Sequence, residues 1–430
     1  MISSESSMQP SPIYSDPQNI NTLDDVCRWL CDDDDHQETE EIQSVVTVGD
    51  VMKESESESQ MGLQNLLEAY ADGISMGQIE LSKVIVRCIN EKTNPSGQIL
   101  ERLAFNLFQN QAEEYLKEES MRNLKMAFRV FYDIFPYGRF AHFTANSIII
   151  ESIPTHVESV HIVDFHLGEG CQWPPLIEAV ARMNKSLIIT SIKLDQDQDS
   201  QFDQTKMNLC NFAKSLGLHL KIQEMGMAQM MTEINQRNLG SEFNQFLAFN
   251  CMIGLPHMGI TRTTTQVMDF LKLATRVLAN KKGIITVGDG EEGARTGNYS
   301  DFSSFFNKTL AHYKALYESI EWGFPSCLNE GRMAMETLFV SPFIKSESWF
   351  QKWDEGRENM GLWQNLGLKG VKMSMDRWIE GRELVKAGES PYGIGIGIGR
   401  GNGNEMVLEW RGVPVVRVFA WVVIQQDICD

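Results

Sequence analysis

Val160-His161-Ile162-Val163-Asp164-Phe165 is followed at once by His166-Leu167-Gly168-Glu169-Gly170-Cys171-Gln172-Trp173. The first six residues are a short apolar run that meets a carboxylate, the composition of a parallel strand buried on both faces. A glycine-containing turn and a helical stretch, Trp173 to Met183, come next. Toward the C-terminus the alternation repeats: strand at Ser186 to Leu194, helix at Gln204 to Leu216, strand at His219 to Gln223. Phe246 to Met252 (strand), Thr265 to Leu278 (helix), Gly283 to Val287 (strand) and a long helix from Ser300 to Glu321 complete it. Strands alternating with helices of this length argue for βαβ units, and so for an α/β fold with a mostly parallel, Rossmann-like sheet.

Upstream, from Met61 to about Pro154, the period is helical. Leu63, Leu66, Leu67, Tyr70 and Ile74 form one apolar stripe. Leu100, Leu103, Ala104, Leu107 and Phe108 repeat it after the Asn94-Pro95-Ser96-Gly97 break, and Leu124, Ala127, Phe128, Phe131 and Phe135 repeat it before Pro136. This is an N-terminal helical cap. Leu63-Gln64-Asn65-Leu66-Leu67 is also an LxxLL match, with the three leucines on one face as helix-in-groove recognition requires. The same spacing serves ordinary core packing.

Residues 1–60 hold 15 acidic against two basic residues, a balance of −13, so only −7 of the chain's −20 falls on the other 370 positions. A segment this polar cannot offset its ordering entropy, and disorder is expected over 1–60. Within it Val26-Cys27-Arg28-Trp29-Leu30-Cys31 stands directly before Asp32 to Asp35, the composition of an acidic activation segment or of a solubilising tail. Neither of these two parts shows a basic face. DNA affinity comes mainly from Lys and Arg neutralising phosphates, so contact with DNA is expected only weakly or through a partner. No run approaches 18 apolar residues and the N-terminus lacks a signal-peptide pattern, which gives an intracellular expectation with no membrane. Eight scattered cysteines with no CxxC pair fit reduced thiols, and Cys27, Cys31 and His36 lack a fourth zinc ligand, so no metal is expected.

Past Gly331, Met335 to Pro342, Met406 to Trp410 and Val413 to Val423 read as late strands. The last two join at Arg411-Gly412 in a hairpin that closes the sheet. Tyr392 to Gly399 alternates glycine with isoleucine and reads as a weak strand or linker. It contains no G-x-G-x-x-G and is not a dinucleotide loop.

Chemistry is tested first at the turn after Asp164. A methyltransferase places Gly-x-Gly-x-Gly there so that backbone approaches the cofactor, at the carboxyl ends of the strands where open sheets bind ligands. Here His166 takes the first glycine position, and Gly168 and Gly170 remain. A side chain at the point of closest approach fills the pocket, so no cofactor is expected. Asp195 would be the ribose-binding acid of the alternative, an S-adenosylmethionine-dependent methyltransferase. A small-molecule receptor using the same cleft is a third class. No phosphate loop, zinc-binding H-E-x-x-H or nucleophile elbow occurs. His161, between apolar neighbours, reads as a satisfied buried histidine. Arg332 and Glu336, four apart, read as a surface ion pair.

In this order the segments resemble the GRAS family of plant regulators over roughly residues 61–423. Val160-His161-Ile162-Val163-Asp164 is similar to its VHIID signature. The flanking helical regions at about 61–130 and 204–235 correspond to its two leucine-rich regions, and Phe140 to Asn146 to the segment before VHIID. A PFYRE region would run from 246 to 345 with Arg332 and Glu336 at its arginine and glutamate. Trp410-Arg411-Gly412 and Phe419-Ala420-Trp421 resemble its SAW region, with Phe419 for the serine and a tail, Val422 to Asp430, beyond the usual end. Val160 to Trp173, Phe249 to Met258 and Met406 to Arg411 look most like the nodulation-signalling-pathway-2 type. The resemblance implies a non-enzymatic, nuclear transcriptional regulator in symbiotic or strigolactone-related signalling. It also implies a heterodimer with another GRAS protein through Leu63, Leu66, Leu67, Tyr70 and Ile74. The implied organisation is a tail at 1–60 and a GRAS domain at 61–430, with the cap at 61–154 and the α/β core at 155–430.

Overall fold

A computed structural model describes residues 48–108, 124–194, 202–237, 244–258, 262–291, 299–324, 326–358, 366–396 and 404–424. The acidic segment before residue 48, with Cys27, Cys31 and His36, lies outside these residues. So do Asp195, Gly397 to Gly399 and the last six positions.

Helices α1 (Val48–Ser75), α2 (Ile79–Asn90) and α3 (Ile99–Phe108) precede α4 (Leu124–Ile134) and α5 (Pro136–Ser152). Helix α1 begins at Val48, inside the segment expected to be disordered. Once the Leu63–Tyr70 stripe packs, each added residue costs little and gains a hydrogen bond, and Met, Lys, Glu and Gln extend helices well. Proline at the first position of α5 fits a helix start, where no N–H is needed.

The core follows as β1 (Ser159–Asp164), α6 (Trp173–Arg182), β2 (Ser186–Ile192), α7 (Phe202–Ser215), β3 (Leu220–Met225), α8 (Met227–Arg237), β4 (Gln245–Ile253), α9 (Thr264–Leu278) and β5 (Gly283–Asp289). Strands β1 to β5 are parallel in the order β3-β2-β1-β4-β5, with Ile162 level with Ile189 and Ala248. Val160 and Ile162 pack into the cluster under α6 and α7, while Val163 and Phe165 pack into the cluster under α9. Both faces are covered, which is why the run carries so little polarity.

The chain continues with α10 (Phe302–Gly323), α11 (Asn329–Phe339), α12 (Ser346–Glu358), β6 (Leu368–Gly370) and α13 (Met375–Leu384). It ends with β7 (Tyr392–Ile396), β8 (Glu405–Trp410) and β9 (Val413–Val423). The hairpin forms as expected. Arg411 and Gly412 both take positive φ, +47° and +82°, as a two-residue turn matched to strand twist demands. β9 runs antiparallel to β5, and β8 and β7 extend the sheet. Met335 to Pro342 is not a strand. Met335, Leu338 and Phe339 recur at helical spacing on α11, a period visible only when the window reaches back to Asn329.

The Gly/Ile alternation now has a physical reason. In β7, Tyr392 and Ile394 enter the core, while the glycines leave room for a neighbouring side chain. A Cβ on Gly395 would stand 2.9 Å from Glu409 Oε1. Trp378 of α13 donates its indole N–H to Ile394 O at 3.2 Å and covers the outer edge of β7.

Candidate functional site

Strand order reverses between β1 and β4, and an open sheet binds its ligand in the crevice at that point. Here the crevice holds amide side chains. Asn250 of β4, level with Asp164 at the end of β1, donates Nδ2 to Asp164 Oδ1 at 2.8 Å and to Gln172 Oε1 at 3.0 Å. Its own Oδ1 accepts from Gln172 Nε2 at 3.1 Å and from Thr286 Oγ1 at 3.0 Å. Gln172 also donates to Asn146 Oδ1 at 3.2 Å, and Asn146 returns a bond to Gln172 O at 2.6 Å. All five side chains are buried. Burial pushes the Asp164 carboxyl up to about 8 despite the Asn250 bond, so it is neutral at pH 7.

The turn glycines serve packing. Gly168 and Gly170 have φ of +54° and +75°, which only glycine adopts readily. A Cβ on Gly170 would sit 2.8 Å from Thr205 Cγ2, so this glycine admits α7. His166 is half-buried beside the turn. Gln172 takes up the hydrogen-bonding groups that Asn250 would otherwise offer a ligand, and Asn146 holds Gln172 in place. Above Asn146, one turn earlier on α5, His142 meets Tyr132 at 2.8 Å and packs edge-on to His257. Burial pushes His257 down to about 3 and His142 well below its ordinary value, the neighbouring His257 adding to the latter, so both rings are neutral. His161 is buried and bonded to Thr190 Oγ1 at 2.8 Å.

A second buried polar cluster joins the cap to the core, and it is charged. Arg332 and Glu336 pair one turn apart on α11 at 2.8 Å, both about 95% covered, which corrects their reading as a surface pair. Helix α3 supplies Arg102, whose Nε and Nη2 clasp the two oxygens of Glu336 at 3.2 and 3.1 Å. Its Nη2 also meets Glu321 at 2.7 Å and its Nη1 donates to Gly97 O at 2.6 Å. Burial raises the Glu336 carboxyl, and the two guanidiniums beside it pull the other way. Sequence reasoning missed Arg102 because its partners lie more than 200 positions away; its only local signal is Asn106, four residues on, which bonds Tyr317 at 2.8 Å.

The leucine stripe is core. Leu63, Leu67 and Tyr70 are buried against α3 and α10, and Leu66 and Ile74 are half-buried against the same cluster. Leu63, Leu67 and Tyr70 are closed to a partner, because their free-energy gain is already taken by the chain's own interior, while Leu66 and Ile74 keep part of their surface open. What the cap exposes is the next helix: Leu81 and Val84 of α2 are about half exposed, with Cys88 half-buried one turn on. Trp410 is buried and donates to Glu318 at 3.2 Å, while Trp421 stacks on Phe419 with centroids 5.3 Å apart. Phe419, in place of the expected serine, is thus accommodated by a neighbour on the same strand face.

The model of the GRAS domain family matches residues 63–422. The chain belongs to the GRAS family. Two relatives named Protein NODULATION SIGNALING PATHWAY 2 are similar to it. The one from Medicago truncatula is 29% identical over 70% of this chain and 59% of its own length; the one from Lotus japonicus is 27% identical over 72% and 62%. This GRAS chain therefore spans about three-fifths of the curated relatives it matches. The crystal structure of SCL7 from Oryza sativa superposes with a TM-score of 0.59, covering 84% of this chain and 99% of that one at 21% identity. That likeness shows the fold: a GRAS domain on a Rossmann-like sheet.

Proposed function

We propose that this GRAS protein is a non-enzymatic transcriptional regulator of the nucleus that works by associating with a second GRAS protein and reaches DNA through partners. Symbiotic signalling is the setting that the relatives named for nodulation signalling favour, and strigolactone-related signalling is the setting that the sequence resemblance implies. One observation carries the association: α2 exposes Leu81 and Val84, with half-buried Cys88 continuing their stripe, on a cap whose Leu63, Leu67 and Tyr70 are spent on the core. A helix with apolar residues at i, i+3 and i+7 on its outer face is suited to docking against a partner helix.

The test is biolayer interferometry of the full chain against a panel of plant GRAS proteins. Wild type should bind at least one member, and Leu81→Asp/Val84→Asp should weaken that binding at least about tenfold, a loss of ~1.4 kcal/mol, with the melting transition unchanged. A folded double variant that binds like wild type would remove α2 from the interface. Failure of the wild type to bind any member would end the association reading itself.

One observation serves the alternative of a methyltransferase or small-molecule receptor: Asp164 Oδ2 is buried without a hydrogen-bond partner at the mouth of the crevice. Calorimetric titration with S-adenosylmethionine and S-adenosylhomocysteine should give no saturable heat. Micromolar binding lost in Asp164→Ala would put a ligand in the crevice and displace the scaffold reading.

A further inference from the structure

The last turn of α10 is electrostatically unusual. A helix C-terminus carries the negative pole of the backbone dipole, and Lys, Arg or His commonly offset it. Here no basic residue stands in the last turn, and Glu318 and Glu321 are placed against the preference. Among the described residues, no lysine or arginine pairs with Glu318, which accepts the indole N–H of Trp410. Glu321 is half exposed and shares Arg102 with Glu336.

Beside these carboxylates stands Trp322, 53% exposed. So large an apolar side chain is seldom left so open, and tryptophan is over-represented among interface hot spots. Its ring is fixed from below. Trp410 lies 5.7 Å away at 60° and Tyr392 6.4 Å away at 82°, and these two meet each other at 4.9 Å. The indole is thus held by two rings and leaves about half of its surface to solvent. Glu318, four residues earlier, shares its side of the helix.

This region already draws the chain's own guanidiniums onto its aromatic rings. Arg411 lies 5.3 Å above Trp410, and Arg102 lies 5.8 Å from the ring of Tyr317. Trp322 offers the same kind of seat, unfilled by the described residues.

We propose that the end of α10, with Trp322 as platform and Glu318 and Glu321 as its acidic rim, docks an arginine-bearing basic segment of a partner protein. A guanidinium stacks flat on indole while its N–H groups reach carboxylates, which a compact ammonium does less well. Nucleic acid is disfavoured, because its phosphates would face the rim carboxylates and the helix pole. The surface is separate from α2 and does not depend on the association proposed there.

The test uses the full chain labelled with 5-fluorotryptophan, with the Trp322 resonance assigned from Trp322→Phe and followed by fluorine NMR. Octa-arginine amide should shift that resonance saturably, and raising the salt should weaken the effect. Glu318→Gln, which keeps an acceptor for Trp410, should weaken the apparent affinity about threefold or more. Octa-glutamate should leave the resonance in place, and octa-lysine should move it less than octa-arginine does. A resonance unmoved by octa-arginine while other tryptophans shift would overturn the proposal, as would an equal response to octa-glutamate or an unaltered affinity in Glu318→Gln. An equal response to octa-lysine would overturn the assignment to arginine.

Discussion

The crevice between β1 and β4 and the seam between α3 and α11 both bury polar side chains, yet by opposite means. The crevice is neutral: amides of Asn146, Gln172 and Asn250 bond to one another, and the one carboxyl among them keeps its proton. The seam is ionic, with Arg102 and Arg332 closing on Glu336 and Arg102 reaching Glu321 at the rim. A neutral network can lose a member and leave dipoles unsatisfied, whereas an ionic one leaves a charge in a poor solvent for it. Cap position therefore rests on the more fragile device.

The largest expected effect breaks the ionic side. Arg102→Ala leaves Glu336 with Arg332 alone and should cost about 3–5 kcal/mol in urea unfolding. Arg102→Met with Glu336→Met removes both charges. Arg332 is then left buried without its carboxylate, so the double variant should recover none of the loss. If the single variant costs under about 1 kcal/mol, within the range of a surface pair, the seam does not hold the cap in this way.

Next comes the neutral side. Asn250→Leu keeps the bulk but leaves Gln172 and Asp164 short of partners, and a loss of about 1–3 kcal/mol is expected. A loss as large as that of Arg102→Ala would erase the contrast between the two clusters.

The smallest effect sharpens the contrast through pH. The folded carboxyl of Asp164 is raised to about 8, above its unfolded value, so its contribution to stability is complete in acid and is lost as pH rises toward 8. Asp164→Asn should remove that slope: the variant should gain on wild type between pH 5 and 9 in denaturant titrations. Parallel pH profiles for the two proteins would mean that Asp164 is ionised in the fold.

Much of this was legible in residue order. The strands from Ser159 to Asp289 were placed by apolar runs of the right length, and the Arg411-Gly412 hairpin by two flanking runs and a turn. Local pattern failed where the partner was remote. Arg332 and Glu336 look like any exposed i, i+4 pair until Arg102 closes over them. The LxxLL stripe carries the same spacing whether it meets a partner or the chain's own interior, and only the burial of Leu63 and Leu67 in the cluster where Tyr70 meets Phe306 decides between them. Asn146, Gln172 and Asn250 carry no motif. Three amides become a network only when a helix, a turn and a strand converge.

The sequence by itself determined the alternating α/β core, the helical cap and the acidic leading segment, because hydrophobic period and charge are properties of neighbours along the chain. Membership of the GRAS family came from the family's motifs in their order. Only the tertiary structure decided which apolar stripe stays outside, whether a carboxylate is paired or neutral, and that Trp322 stands open beside Glu318 and Glu321. Burial is set by what packs from elsewhere, and the cost of a charge or an exposed ring depends on that burial alone.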